Sequence, residues 1–394
     1  MRADFVTKEY PPNIYGGAGV HVNELVRNLR ETIEVHVHAF GDPVLEANTH
    51  GYSAPSELKS ENQALQTLGT DLSIVPNISG SDLVHSHTWY ANFAGHMASL
   101  LHGIPHVITA HSLEPLRPWK KEQLGGGYAV SSFIEKAAYL QASRIIAVSN
   151  GMREDILRSY PEIDHAKVEV VYNGIDSNLW SPTEDDSVLA QHGVDKNRRS
   201  IIFVGRITRQ KGLKYFLQAA KSLPEDIQII LCAGAPDTNE LKLEIENLVA
   251  ELAENRTGVI WIPEHLDQKS LAILLTNADL FACPSIYEPL GIVNLEAMAC
   301  GTAVIGTRTG GIPEVVLENE TGWLVPIDQV TDGSGTPINP DSFIADWSNA
   351  MLDAFSSGNL KKFGDAGRTR AIESFSWKSI ATRTLEVYQN ALDS

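Results

Sequence analysis

The sequence predicts an α/β protein built from two doubly wound, Rossmann-like domains. Its 394 residues exceed what one hydrophobic core usually serves. Short β-branched runs alternate with helical patterns, the signature of a parallel sheet covered by helices. The alternation comes in two series, separated by a polar and charged stretch at residues 181–200.

The first series predicts strands at residues 4–6, 33–40, 83–86, 106–109, 145–148 and 168–171, with helices such as 19–30 and 131–141 between them. The second predicts strands at 201–204, 228–232, 259–262, 280–283 and 303–306. Between them Tyr172-Asn-Gly-Ile-Asp176 carries an Asn-Gly turn signal suited to a hinge. The first domain is therefore drawn as residues 1–174 and the second as 175–377, followed by a terminal helix at 378–394. Residues 331–340 are rich in Gly and Pro and read as a surface loop.

A net charge of −18 disfavours nucleic acid or an anionic membrane as the main partner, while leaving room for a local basic pocket around a phosphate. Cys232, Cys283 and Cys300 are odd in number and lack metal-type spacing, so they read as buried free thiols in a reducing cytoplasm. The N-terminus lacks the apolar region of a signal peptide, and no apolar run is long enough to span a bilayer. A soluble, cytoplasmic enzyme is expected. Its oligomeric state stays open.

The most informative motif is Ser285-Ile-Tyr-Glu-Pro-Leu-Gly-Ile-Val-Asn-Leu-Glu296. An apolar strand precedes it and a helix follows, so Leu290, Gly291 and Ile292 fall at a helix N-terminus whose unpaired N–H groups suit a phosphate. Glu296, farther into that helix, suits the hydroxyls of a ribose, and Glu288 lies in the loop before it. Upstream, Ile201-Ile-Phe-Val-Gly-Arg-Ile-Thr-Arg-Gln-Lys-Gly212 delivers Arg206 and Lys211 after a strand. Two cations there match a diphosphate leaving group. The chain has no Asp-x-Asp pair to hold a metal on that diphosphate, so neither metal nor cofactor is expected.

In the first half, Gly16 and Gly17 open a helix after the first strand, where backbone N–H groups can approach a phosphate; Gly-Gly alone also marks ordinary turns. His111 ends a strand, the place where open α/β sheets bind ligands. His85 and His87 lie two apart but lack an evident third ligand, so sugar hydrogen bonding or core packing is preferred to a metal. Arg117, Lys120 and Lys121 cluster just after His111 and suggest an anionic acceptor, with a solvated loop as the ordinary alternative. Trp89, Tyr90, Trp119 and Tyr128 offer faces for sugar rings or for the core.

Together, Gly-Arg-x4-Lys-Gly, Glu-x7-Glu, Lys8-Glu-Tyr-Pro-Pro-Asn-Ile-Tyr-Gly-Gly-Ala-Gly19, His85-Ser-His-Thr-Trp89 and Thr109-Ala-His-Ser-Leu-Glu-Pro115 resemble the retaining glycosyltransferases of family 4, over nearly the whole chain. Within that family they are similar to the actinobacterial glycogen synthase and maltose-1-phosphate synthase group. The resemblance implies a GT-B fold, two Rossmann-like domains facing a central cleft, with the terminal helix crossing back to the first. It also implies donor binding by Gly16, Gly17, Arg206, Lys211, Leu290, Gly291, Ile292 and Glu296, and catalytic roles for His111, Arg206, Lys211 and Glu288. Acceptor contacts are expected from Trp89, Arg117, Lys120 and Lys121. The implied reaction moves glucose with retention from ADP-glucose, or another nucleotide-glucose, to glucose 1-phosphate or an α-glucan end. One departure stands out: longer bacterial glycogen synthases carry Lys before the Gly pair, where this chain has Tyr15. The rivals are a sugar-nucleotide epimerase on the same fold, a silent nucleotide-sugar binding protein, and transfer to mannose-type or lipid acceptors.

Overall fold

The computed structural model describes residues 1–43 and 45–394. It divides into two compact units, one of Met1–Gly174 with Trp377–Ser394 and the other of Ile175–Ser376.

The first unit holds a seven-stranded sheet, entirely parallel in its pairings. Its strands are β1 (Arg2–Thr7), β2 (Glu34–Phe40), β3 (Thr49–Tyr52), β4 (Leu83–His87), β5 (His106–Ala110), β6 (Arg144–Ala147) and β7 (Val168–Val170). Their spatial order is β3-β2-β1-β4-β5-β6-β7, so the direction of winding reverses between β1 and β4. Strands β1, β4 and β5 are buried almost throughout, as parallel strands covered on both faces must be. Strand β3, Thr-His-Gly-Tyr, was not foreseen. It is a short, largely exposed edge without an apolar run, and backbone pairing to β2 defines it.

The helix Trp377–Leu392 supplies part of the first unit's core. Trp377, Ile380, Ala381, Val387, Tyr388 and Ala391 are buried against Phe5, Val22, Leu25, Val26, Val35 and Val37. This corrects the sequence boundary by one residue: Trp377, assigned to the end of the second domain, belongs to the first. Its indole lies against Gly174, where a Cβ would sit 2.5 Å from the ring.

The second unit carries a six-stranded parallel sheet in the order β10-β9-β8-β11-β12-β13. The strands are β8 (Arg199–Arg206), β9 (Ile227–Gly234), β10 (Val259–Ile262), β11 (Leu280–Cys283), β12 (Ala303–Thr307) and β13 (Gly322–Val325). Here the winding reverses between β8 and β11. The sheet packs into a core that includes Phe203, Phe216, Leu231, Leu280, Ile305, Trp347 and Met351. Strand β13 was also missed, because Gly-Trp-Leu-Val is too short to show a period.

Candidate active site

In a doubly wound sheet the loops leaving the two central strands part at the reversal point and open a crevice there. In the second unit those loops follow β8 and β11, and they carry Arg206, Lys211 and Glu288. Lys211 Nζ donates to Glu288 Oε2 at 2.6 Å, and Ser285 Oγ donates to the same oxygen at 2.9 Å. Both partners are largely buried, with side-chain exposures of 20% and 8%. Burial opposes the charge on Lys211, but the Glu288 carboxylate outweighs it, and the ammonium is held above its ordinary pKa. Lys211 is therefore a fixed cation at neutral pH.

The loop bearing Glu288 is clamped by close backbone approaches. Gly212 (φ 61°) would place a Cβ 2.0 Å from the Pro284 carbonyl oxygen, and Gly310 (φ 53°) would place one 2.0 Å from that of Glu288. Only glycine meets both demands, conformation and space. Ile286 N donates to the Gln210 carbonyl at 2.8 Å, and Gln329 Nε2 donates to the Ile286 carbonyl at 2.6 Å. Glu288 is thus positioned by backbone from three directions.

Arg206 ends β8 and donates from Nη2 to Asp237 Oδ1 at 2.5 Å, with 44% of its side chain exposed. Gly291 (φ 91°) caps the helix Ile292–Ala299, with Leu290 buried before it. Glu296 lies on that helix, 8% exposed; burial pushes its carboxyl up to about 7, and the Lys211 charge offsets part of the rise. Asn294 is fully buried, with no partner for either side-chain atom among the described residues. Such a pair of open polar atoms beside Gly291 is expensive unless a ligand satisfies it.

In the first unit the reversal lies between β1 and β4. The loop after β4 contains Thr88, which holds φ 64° and ψ 163°, a region that a β-branched residue occupies only under strain. The Gly16 and Gly17 turn follows β1. The Gly16 amide is not free: Glu9 Oε2 accepts from Gly16 N at 2.8 Å and from Tyr15 N at 3.1 Å. A carboxylate of the chain itself thus takes one of the two amides that the sequence offered to a phosphate. Gly17 is exposed at the first position of the helix Gly17–Leu29.

His111 follows β5, half-buried, and shares a 3.1 Å hydrogen bond between its Nε2 and His87 Nδ1. His85 bonds Tyr388 Oη and Thr109 Oγ1, each at 2.7 Å. Burial holds His85, His87 and His111 well below the ordinary imidazole range and His21 at about 4, so all four are neutral at pH 7. His21 escaped the sequence reading. Its Nδ1 bonds Asn173 Oδ1 at 2.7 Å, and its Nε2 has no partner among the described residues. One nitrogen each of His21, His87 and His111 lies within 4.8 Å of the other two. Read linearly, His85 and His87 lack a third ligand; the fold brings a different trio together, from a helix and two strand ends.

The expected acceptor residues are placed unevenly. Trp89 is 2% exposed within a cluster of Ala64, Leu124 and Ile134, so its ring is core and presents no face to a sugar. Arg117 donates to Glu114 Oε1 at 2.5 Å, and Glu114 is fully buried. That guanidinium neutralises an interior carboxylate. Lys120 is half-buried and Lys121 exposed, both on the helix Lys120–Leu124.

These two doubly wound units are the GT-B architecture, and the chain belongs to the family 4 and group 1 glycosyltransferases. The model described as Glycosyltransferase Family 4 matches residues 15–179, and that described as Glycosyl transferases group 1 matches residues 185–333. An α-maltose-1-phosphate synthase from Mycolicibacterium smegmatis is 50% identical over 394 residues, covering 99% of each chain. A D-inositol 3-phosphate glycosyltransferase from Paenarthrobacter aurescens is 30% identical over 331 residues, 79% of this chain and 73% of that one. Among solved structures, sucrose-phosphate synthase from Thermosynechococcus elongatus superposes with a TM-score of 0.80 at 22% identity, covering 100% of both chains. The protein is a transferase, and among the described residues no helix is long and apolar enough to cross a membrane.

Proposed function

We propose that the enzyme transfers glucose with retention from ADP-glucose to the 4-hydroxyl of glucose 1-phosphate, forming α-maltose 1-phosphate, with the nonreducing end of an α-glucan as a second acceptor. The observation that carries this reading is the 50% identity over the whole chain to an α-maltose-1-phosphate synthase. The Lys211–Glu288 pair at the reversal point of the second sheet supports it chemically.

In this reading Arg206 and Lys211 stabilise the charge that develops on the leaving diphosphate, work that fixed cations do without a metal. Glu296 accepts hydrogen bonds from the donor ribose, and the amides around Gly291 face the phosphates. Neutral His111 contributes a hydrogen bond to the transferred glucosyl unit. The leaving phosphate itself takes the proton of the attacking hydroxyl, so Glu288 orients Lys211 and is no nucleophile. The reaction runs in the cytoplasm with no cofactor.

The test is a matrix of ADP-, UDP- and GDP-glucose against glucose 1-phosphate and glycogen. The expected preference is ADP-glucose with glucose 1-phosphate, unaffected by a chelator. Efficient use of UDP- or GDP-glucose, or of neither acceptor, would reassign the substrates while leaving the family intact.

A further inference from the structure

Lys8 directly follows β1 and Tyr90 lies just beyond β4, so the two residues stand on opposite sides of the reversal point of the first sheet. The Lys8 ammonium lies over the Tyr90 ring, 3.6 Å from its centroid. Among the described residues no carboxylate is within ion-pair distance of it, and its N–H donors have no protein acceptor. A half-buried cation with no carboxylate in contact is unfavourable in an empty protein. Burial lowers its pKa to about 8; the Glu9 carboxylate works against that fall, and the Lys120 ammonium adds to it. This ammonium stands at the mouth of the sheet, two residues of chain beyond the strained Thr88 on the Tyr90 side.

A phosphate group answers each of these features. It supplies the missing acceptors, neutralises the Lys8 charge and lies where open α/β sheets bind ligands. The diphosphate of the donor has Arg206 and Lys211 on the second unit, and Arg117 is committed to Glu114. We propose that Lys8, held over the Tyr90 ring, is the seat for the phosphate of a phosphorylated acceptor sugar. The choice of glucose 1-phosphate as that acceptor rests on the proposed function; the seat does not.

Protein labelled with ¹³C at lysine Cε provides the test, with the Lys8 signal assigned from its absence in Lys8→Arg. Inorganic phosphate and glucose 1-phosphate should each shift that signal saturably, and glucose should not. In kinetics, Lys8→Gln should raise the KM for glucose 1-phosphate about 10- to 100-fold, the usual loss for one hydrogen bond to a charged group. The KM for ADP-glucose should change less than about threefold, and Lys8→Arg should recover most of the loss. A Lys8 signal indifferent to both phosphates overturns the seat whatever the activity. A rise confined to the KM for ADP-glucose overturns it in favour of a donor contact. A saturable shift in an enzyme that makes no product from glucose 1-phosphate keeps the seat and removes the proposed acceptor.

Discussion

Glu296 is a buried carboxyl whose pKa of about 7 makes it a titrating group at physiological pH. A ribose diol donates two hydrogen bonds to the carboxylate, while the protonated acid has lost acceptor capacity. ADP-glucose affinity, measured by equilibrium titration, should therefore fall as pH drops below about 7, by at most about tenfold per unit. Glu296→Gln should bind more weakly and lose most of that dependence. A wild-type affinity flat from pH 5.5 to 8 would remove Glu296 from the ribose. Other residues show where sequence reasoning stops. Trp89 was chosen for its flat ring and Arg117 for a charge just after His111, but only the fold decides whether an indole faces solvent or core. Likewise Glu114, which claims Arg117, is an ordinary Glu in a linear reading. The Glu9 bond to the Gly16 amide spans a loop without periodicity, and His21 reaches His111 only through folding.

At the scale of elements, nearly every strand with an apolar run was legible, and β3 and β13 were not, since pairing rather than composition creates them. The loops after β8 and β11 were legible as places that gather charge, because their glycines, cations and carboxylates are close in sequence. Arg206→Ala tests the first of these loops: its half-exposed side chain can be removed with little cost to folding, and turnover should fall about 100- to 1,000-fold if it stabilises the leaving group. Full activity in this variant would move the leaving-group charge to Lys211 alone. The terminal helix makes a separate demand. Tyr388 Oη bonds His85 inside the first core, so Tyr388→Phe should lower the free energy of unfolding by about 1–2 kcal/mol, measured by urea titration. An unchanged midpoint would show that the His85 contact contributes nothing to holding this helix.

Taken whole, the molecule repeats one solution twice: a parallel sheet, a reversal point, and polar groups gathered on the loops that part there. The chain is strongly acidic, yet Lys8, Arg206 and Lys211 stand at the two reversal regions. This placement accords with anionic substrates better than net charge would suggest, because local cations act over a few ångströms whereas bulk charge is screened beyond roughly 8–10 Å. The central claim is the identity of the product. Purified enzyme given ¹³C-labelled ADP-glucose and unlabelled glucose 1-phosphate should yield, by ¹³C and ³¹P NMR, a disaccharide phosphate with a new α-1,4 linkage from the labelled residue to the phosphorylated one. A β linkage, or label recovered only as free glucose or only in glucan, would contradict the account.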